Sequence, residues 1–209
     1  MTGVLIAFAI VLLAPLFVGT WRTSLLGLAI QGALMASIAL RHGVHLSVDD
    51  ALTVVDLVVL RAVGAPLALF LVLRAQNAPK RNDVIAPNLL SWGLALALVV
   101  VAFRGADILV PTEGDPQMLV AVSSAAFLLG MFVLSTSRGT VSQIIGLLRV
   151  ENAIALFELG STSHGESIGI RIGQTVVLLL SIGMCRWFLL HLGREAREEA
   201  PPSSTGVVL

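Results

Sequence analysis

Long apolar runs alternate with short polar connections along the whole chain. Each run holds about 18 residues or more, which is enough for an α-helix to cross ~30 Å of bilayer hydrocarbon. The connections hold glycine, proline and charged residues, which favour turns and helix ends. The pattern predicts about seven membrane-spanning helices, at approximately 2–20, 23–41, 52–74, 87–105, 117–136, 140–160 and 167–190.

Composition supports an all-α integral membrane bundle. The 209 residues are 56% hydrophobic and 12% charged, whereas a soluble domain carries about 25% charged residues. The formal net charge is zero, so no basic surface suggests a nucleic-acid partner. A single cysteine, Cys185, excludes an internal disulfide and a cysteine-rich metal site. We therefore expect no metal and no cofactor in this chain.

The spacing of the runs leaves no room for a soluble domain between spans. We expect one transmembrane domain over 1–190, with four helices in 1–105 and three in 117–190, followed by a tail at 191–209. The first span lacks a basic segment before it, so it is expected to be an uncleaved anchor.

The basic residues in the connections predict the orientation, because they concentrate on the cytoplasmic side. Arg41 and Arg104 fall on one side, and eight fall on the other: Arg22, Arg74, Lys80, Arg81, Arg138, Arg186, Arg194 and Arg197. Seven spans then place the N-terminus outside and the C-terminus in the cytoplasm. The expected location is the bacterial inner (cytoplasmic) membrane.

Charges within the sixth span are the first candidate functional residues. Arg149 and Glu151 lie near its middle, where a charge costs at least ~2.5–3.5 kcal/mol. They are expected to face other helices or a hydrated cavity. Helical spacing places Arg149 and Asn152 on one face, and Glu151 and Glu158 on another. The alternative is a buried network that only fixes helix packing.

Four more ionisable residues lie in the third and seventh spans: Asp56, Arg61, Glu166 and Arg171. Residues five apart do not share an α-helical face well, so Asp56 and Arg61 are not an ideal pair. Arg61 is instead expected to balance Glu151 or another acid on a different chain. Arg171 lies near the outer end of its span, where it could snorkel. For Glu166 and Arg171, as for Glu158, the alternative is an interfacial residue that touches headgroups or water.

The stretch "SRGTVSQIIGLLRVENAIALFEL" resembles the penultimate helix of a known family, that of the hydrogenase-4 membrane component E. That family shows a basic residue, Ile/Val-x-Gly and a mid-helix Glu-Asn pair, which here are Arg138, Ile144, Gly146, Glu151 and Asn152. The third span is similar to a family segment with a mid-helix lysine and a proline five residues later, here Arg61 and Pro66. The last three spans are similar to the K subunit of respiratory complex I.

The resemblance implies a non-catalytic membrane subunit of a complex I-related group 4 hydrogenase or formate hydrogenlyase-type assembly. Its partners would be antiporter-like and hydrogenase-linking membrane subunits, with nickel–iron and iron–sulfur centres in partner subunits. Glu151 would be a titrating relay of a lateral proton path, with Arg149 and Arg61 balancing its charge. Asn152 would orient water, and Glu158 and Glu166 would offer an outer connection.

The chain also departs from that family in its last helix. Ser167 and Gly173 stand where the family usually has acidic residues, and Arg171 stands where it is usually apolar. These differences leave open a purely structural subunit with no proton path of its own. A stand-alone small-solute transporter is the other alternative, although no inverted repeat supports it.

Overall fold

The computed structural model describes residues 2–17, 20–41, 48–76, 89–110, 114–161 and 168–198. Within those ranges the chain forms seven helices and no strand. Helix α3 is continuous but has three parts: α-helix at Val48–Val55, π-helix at Asp56–Gly64 and α-helix again at Ala65–Ala75. The others are α1 (Thr2–Phe17), α2 (Trp21–Arg41), α4 (Leu89–Leu109), α5 (Asp115–Thr136), α6 (Thr140–Ser161) and α7 (Ile168–Glu198).

Six of these helices, α2 to α7, are long and apolar enough to cross a membrane. The chain is therefore a multi-pass membrane protein whose described residues form helices and no strands. Helix α1 has 16 residues, which rise about 24 Å at 1.5 Å per residue and fall short of the ~30 Å hydrocarbon core. The first predicted span, at 2–20, and the orientation of the termini stay predictions.

Helix α2 lies at the centre of the bundle and packs against α1, α3 and α6. Helix α5 packs against α1, α4 and α6, and α7 packs against α3. Helices α4 and α7 leave most of their apolar side chains exposed, including Leu96 and Val101 on α4 and Leu180 and Trp187 on α7. The helices that bury the most of their surface are therefore α2, α5 and α6.

The buried apolar side chains form two main clusters along the bundle. Cluster 1 includes Phe8 of α1, Met35 of α2, Leu57 of α3, Leu129 of α5 and Leu156 of α6. Cluster 2 includes Trp21 and Leu28 of α2, Leu69 of α3, Ile145 of α6 and Leu178 of α7. Helices α2, α3 and α6 each contribute residues to both clusters. On each of these helices, the residues that separate the two sets lie between the clusters.

Glycines allow the closest approaches between helices. A Cβ atom on Gly32 of α2 would lie 2.5 Å from the backbone N of Ala62 in the π-helix. A Cβ atom on Gly130 of α5 would lie 2.9 Å from Val150 Cγ2 of α6. Both distances are shorter than van der Waals contact, so only glycine fits at these two positions without a shift of the neighbouring helix.

Candidate functional site

A buried polar layer separates the two apolar clusters. On α2, Gln31 follows Leu28 of cluster 2 and precedes Met35 of cluster 1. On α3, Arg61 lies between Leu57 of cluster 1 and Ala65 of cluster 2. On α6, Arg149 and Asn152 lie between Leu148 of cluster 2 and Ala153 of cluster 1. We call Gln31, Arg61, Arg149 and Asn152 the polar layer; their exposed fractions are 1%, 4%, 2% and 4%.

Arg61 connects α3 to α6 through its guanidinium group. Its Nη1 donates to the backbone carbonyl oxygen of Glu151 at 3.0 Å and to Oδ1 of Asn152 at 3.3 Å. Its Nε donates to Oδ2 of Asp56 at 2.8 Å in a salt bridge within α3. The Glu-Asn pair of the sequence is therefore held at the polar layer by an arginine on another helix.

The prediction that Asp56 and Arg61 do not pair well was wrong, whereas an acid on a different chain as a partner of Arg61 stays a prediction. The ionic partner of Arg61 is Asp56, five residues earlier on the same helix. Arg61 reaches Glu151 only at the backbone carbonyl.

The π-helix explains this pairing. Its backbone bonds join residues five apart, as Ala65 N–H shows by donating to Leu60 O. This geometry stacks Arg61 over Asp56, whereas an α-helix would turn them apart. Pro66 lies two residues after the end of the π-helix. Because proline has no N–H, it cannot donate the α-helical hydrogen bond to the carbonyl oxygen of Ala62. Gly32 on α2 then leaves room for the backbone at Ala62.

Three polar residues of α7 complete the contacts of the acidic side chains, and sequence reasoning did not select them. Thr175 Oγ1 donates to Oδ1 of Asp56 at 3.4 Å. Ser181 Oγ donates to Oε1 of Glu151 at 3.4 Å. Gln174 Nε2 donates to Oε1 of Glu158 at 2.5 Å. Three carboxylates therefore meet α7 at separate positions along its length.

The spacing of these residues is a signal that the sequence did contain. Glu151 and Glu158 are seven residues apart on α6, and Gln174 and Ser181 are seven residues apart on α7. In adjacent antiparallel helices, equal spacings of two turns let both polar pairs meet at once. Such matched spacings predict hydrogen-bonded partners when two spans are joined by a short connection.

The other predicted residues are placed as follows. Arg149 is buried in the polar layer, as its mid-span position required. Glu158 lies half-buried near the last residues of α6, and Glu151 is also half-buried. Arg171 lies in the first turn of α7, while Glu166 lies outside the described residues. The predicted roles of Arg171 and Glu166 therefore stay predictions.

Comparison with known proteins gives one clear relationship. The chain is 32% identical over 172 residues to the uncharacterized protein Rv0085 of Mycobacterium tuberculosis (strain ATCC 25618 / H37Rv), across 78% of this chain and 76% of that protein. The chain belongs to the Rv0085 family. No family model matches it. No solved structure matches it either.

In this member of the Rv0085 family the site contains groups that exchange hydrogen bonds. Within the part of the chain that the structure describes, no three histidine, cysteine or acidic side chains are grouped to hold a metal ion. Serine, threonine, asparagine and glutamine can each donate and accept hydrogen bonds, and a carboxylate can gain or lose a proton. Joined across α3, α6 and α7, these groups are chemically suited to bind water and pass protons.

Proposed function

We propose that this member of the Rv0085 family is a membrane subunit of a complex I-related assembly, of the group 4 hydrogenase or formate hydrogenlyase type. The proposed role is to contribute part of a lateral proton path. The observation that carries the proposal is a set of partly buried polar contacts in an otherwise apolar bundle. Arg61 is bonded to Asp56 and to the Glu-Asn pair, and Thr175 and Ser181 donate to the acids. Ionisable residues inside membrane spans commonly mark proton or ion pathways.

In this proposal Glu151 is the group that takes up and releases the proton. Ser181 donates to its carboxylate, and a hydroxyl can rotate to accept a hydrogen bond instead. Arg61 donates to the backbone carbonyl oxygen of Glu151 and to the side-chain amide of Asn152, and so holds both groups in place on α6. Glu158, bonded to Gln174, is a second carboxyl group two turns away on α6. Water between the two glutamates would be needed, because about 10 Å separates residues seven apart along a helix.

The redox chemistry of the assembly is assigned to partner subunits, which would hold the nickel–iron and iron–sulfur centres. Antiporter-like and hydrogenase-linking membrane subunits would lie beside this chain. The exposed apolar faces of α4 and α7 are compatible with such neighbours as well as with lipid. The Glu-Asn helix and the Arg61–Pro66 segment both resemble segments of the hydrogenase-4 component E family, and this resemblance supports the placement.

A purely structural subunit is the second candidate. The Asp56–Arg61 pair is neutral as a unit and lies within one helix, while Arg61 ties α3 to the backbone of α6. Those contacts suit a role in holding helices together. Ser167 and Gly173, in place of acidic residues, favour this alternative too.

Purification in mild detergent, with bound partners identified by mass spectrometry, tests membership of the assembly. We expect antiporter-like and hydrogenase-like subunits to co-purify with the chain. A chain that runs alone and stays stable would contradict the proposal and favour a separate transport function.

Glu151→Gln in the purified complex then separates the two roles. Glutamine keeps the size of the side chain and can still accept from Ser181, but it cannot release a proton at neutral pH. We expect redox turnover without proton translocation into the lumen of proteoliposomes, with all subunits retained. Asp107→Asn is the matched control, because Asp107 is an exposed carboxylate bonded to Gln117 at the end of α4. Unchanged translocation in Glu151→Gln would favour the structural subunit.

A further inference from the structure

Gln31 is a buried polar side chain whose bonding is incomplete. It lies near the middle of α2 and is 1% exposed. Within the described residues, neither its Nε2 nor its Oε1 has a hydrogen-bond partner. A buried polar group left unpaired destabilises the fold, and buried polar groups without protein partners are commonly bonded to ordered water. The amide of Gln31 is therefore a candidate binding site for water.

The neighbours of Gln31 define its level along the bundle. The next residue, Gly32, is in direct contact with the backbone of Arg61 and Ala62. Helix α2 packs against both α3 and α6, which carry the rest of the polar layer. Leu28 and Met35, one turn on either side of Gln31, belong to different apolar clusters. Gln31 is thus at the level of Arg61 and Asn152 and not inside either cluster.

We propose that Gln31 binds ordered water at the centre of the bundle and extends the polar layer from α3 and α6 onto α2. Its Nε2 donates to water and its Oε1 accepts from water, so one amide can orient two water molecules or one bridging molecule. A cation is a poorer occupant, because Arg61, whose backbone lies beside Gly32, already brings a positive charge to the polar layer. This inference concerns the chain by itself and does not depend on the proposed assembly.

Met35 provides a direct probe of this water. It lies four residues after Gln31 on the same helical face and is 0% exposed. Brief X-ray radiolysis of the purified full-length chain in detergent generates hydroxyl radicals from bound as well as bulk water. A radical formed beside Gln31 converts the nearest methionine to its sulfoxide, which mass spectrometry measures residue by residue. We expect Met35 to be oxidised despite its burial.

Gln31→Leu should lower the oxidation rate of Met35 several-fold, because the side chain that binds the water is gone. Its folding should be preserved, since an apolar group of similar size replaces an incompletely bonded amide. Oxidation of Met184, which is 69% exposed on α7, should stay unchanged and serves as the internal reference. Gln31→Asn keeps the amide and should keep most of the Met35 oxidation.

Gln76→Leu is the matched control, because the amide of Gln76 already donates to the Leu189 carbonyl oxygen at 2.6 Å. Its loss should leave Met35 oxidation as in the unmodified chain. The inference is overturned if Met35 is not oxidised in the unmodified chain, or if Gln31→Leu does not reduce its oxidation. It is also overturned if Gln31→Asn loses the signal to the same extent as Gln31→Leu, because packing and not the amide would then be the cause.

Discussion

Helix α6 has two unlike sides. Towards α5 it packs through small residues: Gly130 of α5 lies against Val150, and Gly146 of α6 lies against Leu134. Towards α3 and α7 it makes polar contacts, from Arg61 to the carbonyl oxygen of Glu151 and from Ser181 to its carboxylate. The first side is the apolar side of α6, and the second is its polar side.

The two sides stabilise the bundle in different ways. Within lipid, burial of apolar surface gives little drive for helix association, so close packing of small residues contributes most where backbones approach. The apolar side of α6 fits this description. The polar side instead relies on hydrogen bonds, several of them at 3.3–3.4 Å. The Thr175 and Ser181 hydroxyls can each donate and accept, so their long bonds can rearrange. We therefore expect fixed packing on the apolar side and rearrangement of hydrogen bonds on the polar side.

Arg61→Met should have the largest effect on stability, because Arg61 makes three of the hydrogen bonds on the polar side. It leaves the Asp56 carboxylate without its ionic partner and removes two bonds to α6. Removing one partner of a buried pair costs about 3–5 kcal/mol. The free energy of unfolding, measured by denaturant titration in mixed micelles, should fall by about this amount.

The double variant Asp56→Asn with Arg61→Met is the control for that measurement. It removes the orphaned charge, so it should be less destabilised than the sum of the two single variants. Equal stability of Arg61→Met and the unmodified chain would show that the salt bridge is not formed in the membrane.

Gly130→Ala should have the next largest effect, on the apolar side. The added Cβ would meet the side chain and backbone of Val150, and overpacking of this kind costs about 1–3 kcal/mol. Thermal unfolding in detergent should show a lower midpoint. Gly93→Ala on α4 is the matched control, because the structure places nothing within 4 Å of its added Cβ. Alanine favours a helix more than glycine does, so Gly93→Ala should keep or raise the midpoint. A fall of similar size in both variants would show that contact with α6 is not the cause.

Ser181→Ala should have the smallest effect on stability. Single hydrogen bonds between membrane helices contribute about 0.6 kcal/mol on average, and the contact with Glu151 is long. The same unfolding measurement should therefore detect little change. A loss as large as that of Gly130→Ala would show that the polar side also holds the helices together, and the proposed contrast between the two sides would fail.

Sequence reasoning located the polar layer only in part. Arg61 and Arg149 were expected to avoid lipid because a charge in hydrocarbon is unfavourable, and both side chains are buried in the bundle. Gln31 was missed because a neutral side chain gives no such signal in an apolar run. The Asp56–Arg61 pair was missed because face assignment assumed α-helical geometry throughout. Hydrophobic periodicity does not reveal nine residues of π-helix, which end two residues before Pro66 and pack against Gly32.

The all-helical bundle was easier to predict than the contacts inside it. Span length and apolar composition depend on local sequence, and six of the seven predicted spans meet both criteria in the structure. Partners such as Thr175 for Asp56 depend on how two helices are placed side by side. A single sequence indicates how two helices are placed only where the spacings of their polar residues match, as they do for the polar pairs of α6 and α7.

The π-helical pairing of Asp56 with Arg61 also bears on how the chain is made. A nascent helix leaves the translocon before all of its neighbours have been synthesised, so an unbalanced charge would meet lipid at that stage. An acid and a base that join within one segment can enter the bilayer together as a neutral unit. Helix α3 thus contains the counter-ion of Arg61, namely Asp56, when it enters the membrane. Glu151 is translated only ninety residues after Arg61.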